Sequence, residues 1–172
     1  QVRRQKFQLE GSVQLLEKEI MELPVVRQYA EDHGQFNPLS GVQLANLLES
    51  IGHQDDIEVE ERGEAKRSVD SDVLSKIGAG DGRGSALALA VIELRAISKN
   101  AGTYIGPLDK SSEVSIVHDD GLVHPQFKIS RTSTGRLSCA DPNIQNYPKR
   151  TEDGKRICTC YAAPEGHSIV SV

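Results

Sequence analysis

The sequence predicts an α+β fold, mostly helical up to about residue 110 and strand-bearing after it. Three observations lead there. Apolar residues recur at three- and four-residue steps in two long stretches, Leu9 to Leu23 and Ala86 to Tyr104. Beyond Pro107 this pattern gives way to short β-prone runs separated by turn residues. Aromatic residues make up 4% of the chain and Trp is absent, so the core must rest on Leu, Ile, Val and Ala, which suits helices.

The elements follow in order. Leu9, Val13, Leu16, Ile20 and Leu23 form a narrow apolar seam on what reads as one long helix over the first 33 residues, with Gly34 as its C-cap. Asn37, Pro38 and Ser40 make a turn that caps a short helix, Gly41 to Ser50. Residues 52–68 are polar and charge-dense without sustained periodicity, and are expected to form an exposed loop or tip. Ser71 is placed to cap a helix through Ile77, and alternating Gly78, Gly80, Gly82 and Gly84 read as a flexible connector. No Lys-Ser/Thr follows those glycines and no strand precedes them, so a phosphate loop is disfavoured.

A second long helix is expected from Ser85 to Tyr104, with Ala86, Ala90, Leu94, Ile97, Ala101 and Tyr104 as its seam. The two matching seams predict a long antiparallel helix pair with a small helical tip. Val114 to His118, the turn Asp119-Asp120-Gly121 and Leu122 to Ile129 predict a short β-hairpin, and Ser168 to Val172 a buried strand.

At 172 residues the chain can bury a core of one domain or one and a half. No segment approaches the ~20 apolar residues of a membrane span, and the first residues are not signal-like, so a cytoplasmic setting and no membrane partner are expected. Gln1 and the apolar end at Val172 suggest a fragment. Cys139, Cys158 and Cys160 lack the second ligand pair of a zinc site, and His33, His53, His118, His124 and His167 are scattered, so no metal ligand is assigned.

The net charge of −5 conceals an uneven distribution. Residues 1–123 carry 13 Lys and Arg against 21 Asp and Glu, whereas residues 124–172 carry 7 against 4. A local basic surface is what phosphate contact requires.

That surface includes a segment constrained by Gly135, Pro142 and Pro148, on which Arg136, Asn143, Gln145 and Asn146 precede Lys149, Arg150, Lys155 and Arg156. Amides flanked by cations suit a nucleic-acid backbone and groove edges. Composition alone favours a plain loop with a solvated basic face, and spacing does not decide between the two.

The string T-G-R-L-S-x-x-D-P-N-x-Q-N-x-P-x-R, Thr134 to Arg150, closely resembles the signature that opens the palm of family A (polymerase I-like) DNA polymerases. The spacings E-x-G-x-x-I and A-P-E-G-x-x-I-V-S between Glu152 and Ser171 match as well. More loosely, Phe36-Asn37 resembles the family's thumb turn, and Glu93-Leu94-Arg95 through Lys99 to Thr103-Tyr104 its E-Y-R-x-x-x-K-x-x-x-T-Y helix. The resemblance implies a thumb over 1–110 and the first part of an α/β palm over 111–172, ending before the motif A aspartate.

It further implies a parent enzyme that transfers deoxynucleotides to a primer 3′-hydroxyl under template direction. Magnesium would be its cofactor, with ligands beyond this segment. Primer–template DNA and deoxynucleoside triphosphates would be its partners, the latter through palm and fingers not included here. No catalytic residue falls within the chain, so the fragment alone should be inactive. Arg136 matches the arginine that reaches the minor groove at the primer terminus. Thr134, Asn143, Gln145, Asn146, Arg150 and Lys99 match positions near the duplex.

Some positions depart from the family pattern. Asp55, Asp56, Glu58, Glu60 and Glu61 stand where many relatives have a lysine-rich tip, Ala101 replaces a second lysine, and Cys139 and Cys158 replace more polar residues. These mark a divergent member, bacterial or viral. Two rival readings are a non-catalytic DNA-binding module and one half of a split enzyme whose terminal strand is completed by a complementing polymerase chain.

Overall fold

The computed structural model describes residues 2–61, 64–129, 131–148 and 150–168, apart from the side chains at 60, 61, 64 and 65. They fall into two compact units, Gly11–Ser98 and a second formed by Gln1–Glu10 with Lys99–Val172.

In the first unit the expected single helix is two, α1 (Val2–Glu22, its first turns in the other unit) and α2 (Pro24–His33). Leu23 between them is extended, at φ −62° and ψ 133°. Pro24 explains the break. Its ring disfavours a helical residue before it, while its missing N–H costs nothing at the start of a new helix. Gly34 ends α2 at φ +86°, donating to the Ala30 carbonyl at 2.9 Å. Ser40 caps α3 (Gly41–Ser50), as its sequence position suggested.

The stretch expected to be a loop contains a helical turn, α4 (Gln54–Ile57), and an antiparallel hairpin of β1 (Glu58–Glu61) and β2 (Glu64–Arg67), with Glu58 opposite Arg67. Its charge hid its apolar side: Ile57 is buried and Val59 packs on the core. Arg67 anchors the returning strand, donating to Asn46 at 2.5 Å and lying 3.6 Å from Glu49 on α3.

The cap of α5 (Ser71–Gly78) is Asp70 rather than Ser71. Its Oδ1 accepts from the Asp72 and Val73 N–H groups at 3.1 and 3.0 Å, and the Ser68 hydroxyl donates to Oδ2. The Val73 bond foremost, then the Ser68 hydroxyl, holds this carboxyl below its ordinary value.

The connector glycines are partly a packing device. A β-carbon on Gly78 would meet Leu89, and one on Gly84 would lie 2.9 Å from His53 Nε2. His53 Nδ1 is itself 2.7 Å from Asp56.

Helix α6 (Ser85–Lys99) buries Leu87, Ala88, Val91 and Leu94, whereas Ala86 of the expected seam is exposed. The run Ala86–Ile92 is apolar on every side, so its periodicity is ambiguous: Ala88 is buried while its larger neighbour Leu89 is exposed. These residues join Ile20, Val26, Phe36, Leu44, Leu47, Leu48 and Leu74 in one core. Each fully buried aliphatic side chain contributes about 1.5–3 kcal/mol. Arg95 turns inward and donates to the Val69 carbonyl. Burial lowers the pKa of its guanidinium, opposed by the charge of Asp70.

In the second unit α6 continues as a π-helical segment, Asn100–Ile105, and a 3-10 turn, Gly106–Leu108. Tyr104, Ile105 and Ile157 form a small core with Leu9, Tyr147 and Cys160. Lys6 pairs with the buried Asp109 at 3.1 Å, and Asp109 also accepts from the Ser111 hydroxyl and N–H.

The expected hairpin is repartnered. The Asp119–Gly121 turn forms, with Gly121 at φ +82° and His118 donating to the Leu122 carbonyl at 2.9 Å. Residues 114–118, however, are not a strand. Ser112 Oγ accepts the Val114 N–H and Ser115 Oγ the Val117 N–H, so side chains take donors that a ladder would need. Instead β3 (Gln126–Lys128) pairs antiparallel with β4 (Ser138–Ala140), Phe127 opposite Cys139. A final helix, α7 (Glu152–Cys158), is capped by Thr151. Residues 169–172 of the expected terminal strand lie outside the described residues.

Candidate nucleic-acid interface

The Thr134–Arg150 segment is built on the β3–β4 hairpin and the turn that follows. Gly135, at φ +72°, lets the loop fold back, and its N–H donates to the Thr132 carbonyl at 3.2 Å. The Thr132 hydroxyl donates to the Arg136 carbonyl at 2.6 Å. The loop backbone is thus tied from within, while the side chains of Thr134 and Arg136 are exposed. Among the described residues, none pairs with the Arg136 guanidinium.

Strand β4 leads directly from this loop into the amide turn. Asp141 adopts φ +49°, a left-handed conformation that Asp tolerates better than most residues. The Cys139 thiol donates to the Pro142 carbonyl at 3.3 Å. Asn143 Oδ1 accepts the Gln145 N–H at 3.1 Å and opens a 3-10 turn, Ile144–Asn146, that packs against β4. Gln145 and Asn146 leave the turn exposed. Asn143, Gln145 and Asn146 therefore share one turn, one strand away from Thr134 and Arg136.

The turn has a floor that sequence reasoning missed. The Tyr104 hydroxyl donates to the Asn146 carbonyl at 3.1 Å, the Tyr104 and Tyr147 rings lie 5.2 Å apart, and the Tyr147 and Tyr161 hydroxyls bond to each other. Burial raises the pKa of both Tyr147 and Tyr161, so the phenols stay protonated. The available signal was composition: three of the four tyrosines in the chain gather here.

Arg150 lies beyond Pro148, exposed and without a partner among the described residues. Lys99 is the last residue of α6, also exposed, and no described contact joins it to the hairpin or the amide turn. Lys149 lies outside the described residues. No group of three or more His, Cys, Asp or Glu among the described residues could hold a metal ion. Among the described residues, no helix is long and apolar enough to cross a membrane.

A family model, DNA polymerase family A, matches residues 1–172. The chain belongs to DNA polymerase family A. Among curated proteins this family A chain is 41% identical over 81 residues to the thermostable DNA polymerase I of Thermus thermophilus, covering 46% of the chain and 9% of that protein. It is 39% identical over 83 residues to the Thermus aquaticus enzyme, covering 48% and 9%. Against Pseudomonas aeruginosa DNA polymerase I it is 35% identical over 81 residues, covering 47% and 8%.

The matched stretch of the chain thus covers less than a tenth of the length of these relatives. Among solved structures it is similar to the POL domain of Pol1 from M. smegmatis in complex with DNA primer-template and dNTP. The TM-score is 0.60 at 25% identity, over 97% of this chain and 30% of that one.

Within this family A chain the C-terminal cations divide into two sets. Lys155 pairs with Glu152 and Arg156 with Asp153 along α7, at 2.5 and 3.7 Å. Lys128, Arg131, Arg136 and Arg150 carry no such partner among the described residues. The net positive charge available to an anion therefore lies on the hairpin and the approach to α7 rather than on α7 itself.

Proposed function

We propose that this chain is the part of a DNA-directed DNA polymerase that holds primer–template duplex, with a thumb over 1–110 and the beginning of the palm over 111–172. Its parent transfers deoxynucleotides to a primer 3′-hydroxyl. The magnesium and nucleotide sites are assigned to the rest of that polymerase, which would act in the cytoplasm. The observation that carries the reading is the Arg136 loop: an internally bonded backbone presents a guanidinium that has no partner among the described residues, within a chain that matches family A along its whole length.

The chemistry fits. Minor-groove acceptors occupy nearly the same place in every correct base pair, so a donor there reads pair shape rather than sequence. Arg136 grips a matched primer end and loses its acceptor when a mismatch displaces it. Asn143, Gln145 and Asn146 offer both donors and acceptors to sugar and base edges. Arg150 and Lys99 contribute salt-sensitive phosphate contacts.

The test is Arg136→Ala in the polymerase that carries this chain. Primer extension from a matched end should fall about tenfold, the scale of one lost bidentate contact, and matched and mismatched ends should become more alike. Unchanged extension with unchanged mismatch handling removes Arg136 from this role.

A further inference from the structure

The amide turn is clamped at both ends. At its start Asn143 Oδ1 accepts the Gln145 N–H. At its close the Asn146 carbonyl, which like any helix-terminal carbonyl lacks a partner within the turn, accepts the Tyr104 hydroxyl at 3.1 Å across 42 residues of sequence. Tyr104 is only 9% exposed and is held by Ile105, Ile157 and the Tyr147 ring.

The hydroxyls of Tyr147 and Tyr161 bond to each other, so within the trio only Tyr104 reaches the turn. Tyr104 also lies in the π-helical segment Asn100–Ile105. Such a segment closes its bonds one residue later than an α-helix does, and it recurs at functional sites.

We propose that Tyr104 is a positioning residue for DNA binding: its hydroxyl fixes the turn from which Gln145 and Asn146 present their amides to the duplex. This rests on the reading that those amides touch DNA. A tyrosine that served packing alone would need its ring, not its hydroxyl. Because each amide must meet its partner within hydrogen-bonding distance, a turn free to shift loses contacts while the protein stays folded.

The experiment uses the polymerase that carries this chain and a labelled primer–template hairpin, with binding followed by fluorescence anisotropy at fixed salt. Four variants are compared: Tyr104→Phe, Tyr161→Phe, the pair Gln145→Ala/Asn146→Ala, and that pair combined with Tyr104→Phe. Tyr104→Phe should weaken binding about three- to tenfold, the scale of one hydrogen bond. It should raise KM for primer–template while kcat at saturating DNA is kept, and leave Tm close to that of the parent. Tyr161→Phe should bind as the parent does, and Tyr104→Phe should add nothing once both amides are gone.

Parent-like binding by Tyr104→Phe, while the amide pair is weakened, overturns the inference and leaves the DNA-binding reading intact. An equal loss in Tyr161→Phe, or a full additional loss in the combined variant, assigns the effect to packing and also overturns it. Parent-like binding by the amide pair sinks the reading beneath it.

Discussion

Gly154 and Pro148 approach so closely that no β-carbon fits between the first residues of α7 and the Pro148 carbonyl. Thr151 Oγ1 accepts the Gly154 N–H at 3.1 Å and presses the helix start against the chain leaving the amide turn. The contact locks α7 to the end of the candidate interface, and it accounts for glycine at the third position of the E-x-G-x-x-I spacing.

Gly154→Ala should therefore be among the most damaging single-methyl changes in the chain. The clash is with backbone, which cannot swing aside, so the cost should lie near the upper end for overpacking, about 3 kcal/mol. Urea unfolding of the variant checks this. A stability equal to that of the parent would show that the close approach is not required.

The cap of α5 separates two neighbouring residues. Asp70→Ala should lower Tm by several degrees, because it removes the acceptor for the Asp72 and Val73 N–H groups. Ser71→Ala, one position into the helix, should leave Tm almost unchanged. The reverse order would restore Ser71 as the cap.

Asp109 gives the second unit an acid-sensitive anchor. The Ser111 hydroxyl foremost, with the Ser111 N–H and the Lys6 ammonium, lowers its pKa from 3.8 to about 2. A depressed carboxyl contributes stability that is fully present above its unfolded pKa and is lost as pH falls through the folded one. Stability should thus decline between about pH 4 and pH 2, and Asp109→Asn should flatten that part of the profile. Acid titration followed by near-ultraviolet circular dichroism reads both curves.

The division of cations predicts unequal salt effects. Arg150→Ala, if Arg150 meets a phosphate, should weaken primer–template binding and reduce the slope of log K against log salt by about 0.9. Lys155→Ala should change the slope far less, since Glu152 already neutralises that ammonium. Equal slopes for the two variants would contradict this division.

Much of the chain was legible in its residues. The amphipathic helices, the Gly34 and Ser40 caps and the turn at Gly121 all follow from local preferences over a few neighbours. The Thr134–Arg150 string carried the family, because a chain of specific residue types at fixed spacing is rarely met by chance. Other features could not be read so locally. One helix over the first 33 residues ignores Pro24, whose backbone constraint ends the seam at an extended Leu23 and outweighs side-chain pattern. The 58–67 hairpin was hidden because its charge suggested solvent, while Ile57 and Val59 supplied the burial that orders it.

By itself the sequence determined which stretches could be helical, where turns must fall and which family the chain resembles, since all three depend on residues near one another along the backbone. Tertiary structure alone decided the partner of β3, the buried face of α6 and the tyrosine floor beneath Asn146. Those outcomes depend on which distant groups compete for the same N–H, carbonyl or apolar surface. Ser112 and Ser115 withdrew two donors from one candidate strand and left β4 to complete the hairpin.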